Sequence, residues 1–179
     1  MNNDSDPDTR HSPFGLAFDD LVAGASFTSA PIEVAARDVE AFAALTGDHH
    51  PAHLDPGWAA TGPFGRPIAH GLLVLSQAVG ALPLDPERVI ALRRLRDVVF
   101  KRPVGVGESI TVSCAIGEIR PLDARAGLVD CGCRILDEEG RLSARAVIEV
   151  LWRRDLVTGD SDDLGPVTRG PDGRSTVLI

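Results

Sequence analysis

The sequence predicts an α+β domain in which an antiparallel sheet wraps around one buried helix. Three observations carry this. Residues 71–82 are apolar nearly all round, as a helix enclosed on every side must be. Three stretches in the C-terminal half alternate apolar and polar residues, the period-two pattern of strands that cover something with one face. Between an early amphipathic helix and the apolar one lies a long irregular excursion, and such loops in compact domains are often functional.

The elements follow in order. Residues 1–13, rich in Asp, Asn, Ser and Pro, read as a disordered lead, and residues 158–179 as a flexible tail, leaving 14–157 as a single folded domain. Ser26 to Val34 reads as a first strand. Arg37 to Thr46 reads as a short helix: Val39, Phe42, Ala43 and Thr46 share one face, Asp38 and Glu40 sit in the first turn, and Gly47 is a stop signal. The excursion from Gly47 to Pro67 carries four prolines and three further glycines, which is why it reads as irregular. The helix from Gly71 ends before Pro83 and Pro86. Val89 to Phe100 is a β-rich run holding several arginines. Ile110 to Ile116, Val129 to Ile135 and Leu142 to Val150 are the alternating strands, the last two joined by a hairpin turn at Glu138-Glu139-Gly140. A sheet covering one central helix is an arrangement of the hot-dog type.

Composition narrows the class. A net charge of -8 argues against a nucleic-acid backbone or an anionic membrane as the main partner. No apolar run approaches a membrane span, and the N-terminus has neither the basic start nor the apolar stretch of a signal peptide. Cys114, Cys131 and Cys133, an odd set without disulfide-rich spacing, fit a reducing compartment and read as small buried hydrophobes. These features together predict a cytoplasmic protein.

Two places can do chemistry. Asp48 and His53 lie five residues apart, and Pro51 between them keeps the pair off a regular helix face, where that spacing would point them apart. A turn through Pro51 can bring both to one point, where a carboxylate and a neutral imidazole bind one water and move its protons. The imidazole suits this because small shifts tune its titration about neutrality. The competing structural reading makes Asp48 a turn cap and His53 a packing residue. Second, His70-Gly71 opens the apolar helix. A helix N-terminus leaves backbone N–H groups unpaired and carries partial positive charge, and Gly lets a ligand approach closely. The Gly71 N–H can there hold a thioester oxygen on which charge gathers. Alternatively, Gly71 only permits tight packing.

Other candidates are weaker. His49 and His53 have the spacing of a helical zinc pair, but Pro51 sits between them, so no metal site is expected. Ser76 can face a pocket, though a helix serine more often bonds its own backbone. Arg93, Arg94, Arg96, Lys101 and Arg102 form the one basic concentration; they can grip the phosphates of a carrier, or simply be a solvated strand face. Trp58 and Trp152 read as packing residues.

Taken together, these residues resemble the MaoC-like dehydratases, which include the (R)-specific enoyl-CoA hydratases. That family carries a loop Gly-Asp-x-Asn-Pro-x-His-x-Asp and an Ile-x-His-Gly motif opening the central helix. The first appears here as Gly47-Asp48-His49-His50-Pro51-Ala52-His53-Leu54-Asp55 and the second as Ile68-Ala69-His70-Gly71. Phe42-Ala-Ala-Leu-Thr46 and Phe100-Lys-Arg-Pro-Val-Gly-Val-Gly107 look similar too, and the likeness covers most of the span from Phe27 to Leu151.

The resemblance implies a hot-dog domain, paired as a homodimer with a continuous sheet or as a dimer of such dimers. It implies that Asp48 and His53 activate one water for addition to C3 of a trans-2-enoyl thioester, the reverse being dehydration of a 3-hydroxyacyl thioester. Gly71 would hold the thioester oxygen, with His70, His50 and Ser76 in the substrate-binding set. No metal or redox cofactor is implied; the substrate carrier would be coenzyme A or a carrier-protein arm. One departure stands out: the family's loop Asn is His50 here, which bears on acyl preference. Two alternatives use the same pocket: a thioesterase, with water attacking the carbonyl, and a non-catalytic subunit that binds acyl thioesters.

Overall fold

The computed structural model describes residues 12–154, so the tail expected at 158–179 and nearly all of the lead expected at 1–13 lie outside the described residues. A 3₁₀ turn, Phe18–Asp20, precedes strands β1 (Ser26–Thr28) and β2 (Ile32–Glu33). Helix α1 (Ala36–Thr46), short helices α2 (Pro51–Leu54) and α3 (Pro56–Thr61), and helix α4 (Gly71–Gly80) follow. Four long strands complete the domain: β3 (Val89–Phe100), β4 (Ser109–Pro121), β5 (Ala126–Leu136) and β6 (Leu142–Arg153). The six-stranded sheet runs β1-β4-β5-β6-β3, with β2 also on β4 and every pairing antiparallel.

The alternating residues meet as expected. Val112 and Cys114 of β4, Cys131, Cys133 and Ile135 of β5, and Ile148 of β6 are buried on the face that packs against Leu73, Val74, Leu75 and Ala78 of α4. The hairpin closes at Gly140, whose φ of 74° suits glycine and whose N–H donates to the Asp137 carbonyl at 2.9 Å. The three cysteines are buried free thiols. Hydrogen bonding to Cys131 and Cys133, together with burial, pushes the Cys114 thiol well up.

Three expectations are corrected. The strand expected over 26–34 is broken in two. Pro31 has no N–H for the ladder, and Ser29 fills the gap by accepting the Val112 N–H at 3.0 Å and donating to the Ala30 carbonyl at 2.8 Å. The excursion 47–67 is not wholly irregular, because Pro51 and Pro56 each sit in the first turn of a short helix, where a missing N–H costs nothing. Helix α4 is not enclosed on every side, since Leu72 is 60% exposed and Ser76 is exposed.

The outer face of the sheet holds a buried charge network. Glu149, 1% exposed, accepts from Arg93 and Arg120, each at 2.6 Å. Asp130, its cross-strand neighbour, is bound by Arg96. Burial pushes the Glu149 carboxyl up, but the hydrogen bonds from Arg93 and Arg120 and the charge of Arg94 outweigh it and hold the group below its ordinary range. Of the five basic residues weighed as a solvated strand face, Arg93, Arg94 and Arg96 therefore face two buried carboxylates.

Candidate active site

The site is built on two chain crossings. Helix α1 stops at Gly47, whose φ of 79° places it in the left-handed region and whose N–H closes on the Ala43 carbonyl at 2.8 Å. The chain reverses there and presents Asp48. His50 then caps α2: the Ala52 N–H donates to His50 Nδ1 at 3.2 Å. Asp55 caps α3 in the same way, accepting the Trp58 N–H at 3.0 Å. His53 lies in the single turn between these caps.

The segment before α4 is pinned on both sides. The Ile68 N–H donates to the Ala52 carbonyl at 3.0 Å, and the Ala69 N–H to the Val104 carbonyl at 2.8 Å. The Ile68 carbonyl stands 2.7 Å from His53 Nδ1. A carbonyl only accepts, so Nδ1 carries the hydrogen and Nε2 keeps its lone pair when the ring is neutral.

His70 is 3% exposed, and its Nε2 lies 2.9 Å from the Asp48 backbone carbonyl, to which it donates. It is sandwiched by rings: Phe42 at 5.1 Å between centroids and His53 at 3.8 Å, tilted by 31°. His70 thus ties the start of the loop to the start of α4 and packs His53 in place. Its Nε2 is also 4.0 Å from Asp48 Oδ2.

One side-chain ligand-type atom from each of Asp48, His53 and His70 lies within 4.8 Å of the others. Two polar atoms at that separation leave room for one oxygen hydrogen-bonded to both, at about 2.8 Å from each. A carboxylate with two imidazoles is also a donor set that suits a divalent ion. Each imidazole, however, already spends one nitrogen on a backbone carbonyl.

A cavity of about 390 Å³ opens beside this cluster, lined by His53, Ile68, Gly71 and, across from them, Phe100, Lys101 and Ala144. The Phe100 ring explains the glycine: a Cβ on residue 71 would come within 3.0–3.1 Å of three ring carbons. The close packing foreseen for Gly71 and its exposure to a ligand are therefore compatible. Phe100 was missed as a site residue, although it opens the Phe100-Lys-Arg-Pro stretch quoted above.

The remaining candidates fall as follows. His50 is exposed, meets Trp58 edge-on with ring centroids 5.3 Å apart, and lies 6.1 Å from the His53 ring. Trp58 is 44% exposed and so only partly a packing residue, whereas Trp152 is fully buried and donates to the Leu16 carbonyl at 3.0 Å. Ser76 donates to the Leu72 carbonyl at 2.8 Å and is not among the residues lining the cavity. Its hydroxyl serves the helix backbone, the outcome weighed against a pocket role above.

The chain is 36% identical over 126 residues to the 3-hydroxybutyryl-CoA dehydratase of Methylorubrum extorquens, covering 69% of this chain and 77% of that one. It is 40% identical over 85 residues to the (R)-specific enoyl-CoA hydratase of Aeromonas caviae, covering 48% of this chain and 63% of that one. The X-ray structure of the monoamine oxidase regulatory protein from Archaeoglobus fulgius superposes with a TM-score of 0.74 at 33% identity, covering 78% of this chain and 95% of that one. The fold is the hot-dog, as expected. Residues 21–130 match the MaoC like domain, and this chain belongs to that family.

Proposed function

We propose that this protein reversibly adds water across the C2=C3 double bond of a trans-2-enoyl thioester. The observation that carries the reading is the convergence of Asp48 and His53 beside a cavity that also presents the first N–H of α4. The thioester oxygen accepts from the Gly71 N–H, where the helix terminus stabilises the charge gathering on it. The water sits between the Asp48 carboxylate and His53 Nε2. Its oxygen forms a bond to C3 as His53 takes one of its protons. That proton is then delivered to C2, so one water is consumed and both groups return to their starting state. His70 positions the pair by holding the Asp48 carbonyl. Named activities of the Methylorubrum and Aeromonas proteins support the same reaction class.

The proposed working unit is a homodimer. Among the described residues strand β3 pairs only with β6 and is a sheet edge, and it leaves Ile90, Leu92, Leu95 and Phe100 between 43% and 48% exposed. A long apolar edge of this kind is a template for a second strand. Among the described residues no helix is long and apolar enough to cross a membrane. Three free thiols favour the reducing cytoplasm.

The test is incubation of the pure protein with trans-2-enoyl-CoA and saturated acyl-CoA thioesters. Loss of the conjugated double bond with the thioester intact is expected. Release of free thiol would replace the reading with thioester hydrolysis, and no change in either would leave a binding subunit.

A further inference from the structure

Most of the described arginines face a carboxylate, among them Arg66 with Glu108, Arg93 and Arg120 with Glu149, and Arg141 with Asp137. Among the described residues Lys101, Arg102, Arg134 and Arg145 have no carboxylate partner within 4.0 Å, and they gather in one place. (Arg153, also without one, is at the far end of β6.) The register puts them together. The Lys101 and Arg102 N–H groups both donate to the Ser143 carbonyl, at 2.7 and 3.1 Å. Arg145 follows two residues later, paired to Val99 on one side and directly opposite Arg134 on the other.

Like charges opposite each other across an antiparallel pair are destabilising. Arg134 and Arg145 flank a second cavity, of about 600 Å³, floored by Gly132 and Val147 on the outer face of the sheet. Its one lining carboxylate, Asp97, lies 3.9 Å from Arg96, so Asp97 has another cation to face. Lys101 and Arg102 line the catalytic cavity. The four cations therefore lie on or just beyond neighbouring strands within two strand spacings, about 10 Å, with Lys101 and Arg102 at the mouth of the site and Arg145 and Arg134 on the outer face, and are taken as one track.

We infer that this track binds the phosphates of a coenzyme A thioester, with Lys101 and Arg102 at the cavity mouth and Arg145 and Arg134 beyond. The inference rests on the thioester reading above and adds what recognises the carrier. The pyrophosphate and 3′-phosphate of coenzyme A carry roughly four negative charges at neutral pH, which matches the four cations. Guanidinium groups suit phosphate because their planar donors engage two oxygens at once.

The experiment compares crotonyl-CoA with the crotonyl thioester of pantetheine, which has no phosphate, in wild type, Arg145→Glu and Arg134→Glu/Arg145→Glu. In each variant KM for the coenzyme thioester should rise by about tenfold, the scale of losing a charged hydrogen bond, with the pantetheine thioester within about twofold. Added salt should raise KM for the coenzyme thioester in wild type and much less in the double variant. Thermal midpoints establish folding, and Arg145→Lys should recover part of the loss. Equal effects on both substrates, or none on either, overturn the inference. So does a loss confined to a thioester on a carrier protein, which would mark a protein-docking face. Should no thioester be hydrated, calorimetry with coenzyme A separates the two ideas. Binding that weakens about tenfold in Arg134→Glu/Arg145→Glu keeps the track while the hydratase reading fails. Wild-type binding no tighter to coenzyme A than to pantetheine removes the track.

Discussion

The molecule holds two groups of charged side chains, treated in opposite ways. On the outer sheet face, Glu149 and Asp130 are almost wholly buried and each is bound by arginine. In the loop before α4, Asp48 is 55% exposed, and the His53 ring is hydrogen-bonded through Nδ1 and packed on His70. One arrangement sets each buried carboxylate against guanidinium groups, with Asp130 Oδ1 and Arg120 Nε left without a hydrogen bond. The other fixes its groups through backbone carbonyls and through the His50 N–H, which donates to Asp48 Oδ1 at 3.3 Å in the turn-cap role, and among the described residues leaves Asp48 Oδ2 and a ring nitrogen without a hydrogen bond. Buried carboxylates enclosed by guanidinium groups mark a structural cluster, and half-exposed groups beside a cavity mark a chemical one.

The difference can be broken first at the loop. Asp48→Asn keeps size and shape but removes the charge that orients and helps deprotonate water. Turnover of an enoyl thioester should fall by about 10²–10⁴-fold, the usual worth of a positioned acid or base. The thermal midpoint should stay near wild type, since the side chain is half in solvent and its backbone carbonyl still accepts from His70. Undiminished turnover would remove Asp48 from the mechanism. His53→Ala should cost a similar factor, and undiminished turnover would remove His53 from the mechanism.

The sheet cluster should answer in the other currency. Glu149→Gln leaves three arginines around a neutral amide and should destabilise the fold by about 3 kcal/mol, as removal of one partner from a buried ion pair does. Turnover per folded molecule should not change. The sign with pH follows from the lowered Glu149 carboxyl. Its stabilisation is complete above the unfolded value of about 4.3 and is lost as pH falls through the lower folded value. The gap between wild type and Glu149→Gln should therefore narrow on the acid side, measured as chemical denaturation midpoints from neutrality downward. A gap that widens there would mean that Glu149 is protonated in the native state.

A chelator sharpens the comparison from the side of the ligand-type atoms. If Asp48 and His53 move protons without an ion, with His70 only positioning them, turnover after dialysis against EDTA should remain within about twofold of the untreated protein. A loss restored by one divalent metal would make the trio a metal centre instead.

How much of this was legible in the sequence depends on the range of the interaction. The apolar run of α4 and the alternation of β4, β5 and β6 are local signals, and they led to the right elements and the right core face. The meeting of Asp48 and His53 was legible because a single turn separates them. Pro51 was read only as a helix breaker, whereas at a first turn it starts one, so α2 and α3 were missed. His70 was placed among substrate-binding residues, but its bond to the Asp48 carbonyl spans 22 positions and follows from no local pattern. The pairing of Arg93 and Arg120 with Glu149 needs the register of β3, β5 and β6, which alternation alone does not supply.

His50, where the family has asparagine, gives the smallest expected effect. Its Nδ1 accepts the Ala52 N–H in the place where an asparagine side-chain oxygen accepts at a helix N-cap. The departure is thus conservative in the one bond it makes to the backbone. His50→Asn should change stability by no more than about 0.5 kcal/mol, and His50→Ala, which loses the cap, should cost about 1 kcal/mol. The ring does more than cap, since it meets Trp58 edge-on and approaches His53. His50→Asn should therefore loosen Trp58, visible as a change in indole fluorescence, while rates across a series of enoyl chain lengths keep their order. A reordered series would show that His50 faces the acyl group, and that the loop histidine selects substrate as well as starting α2.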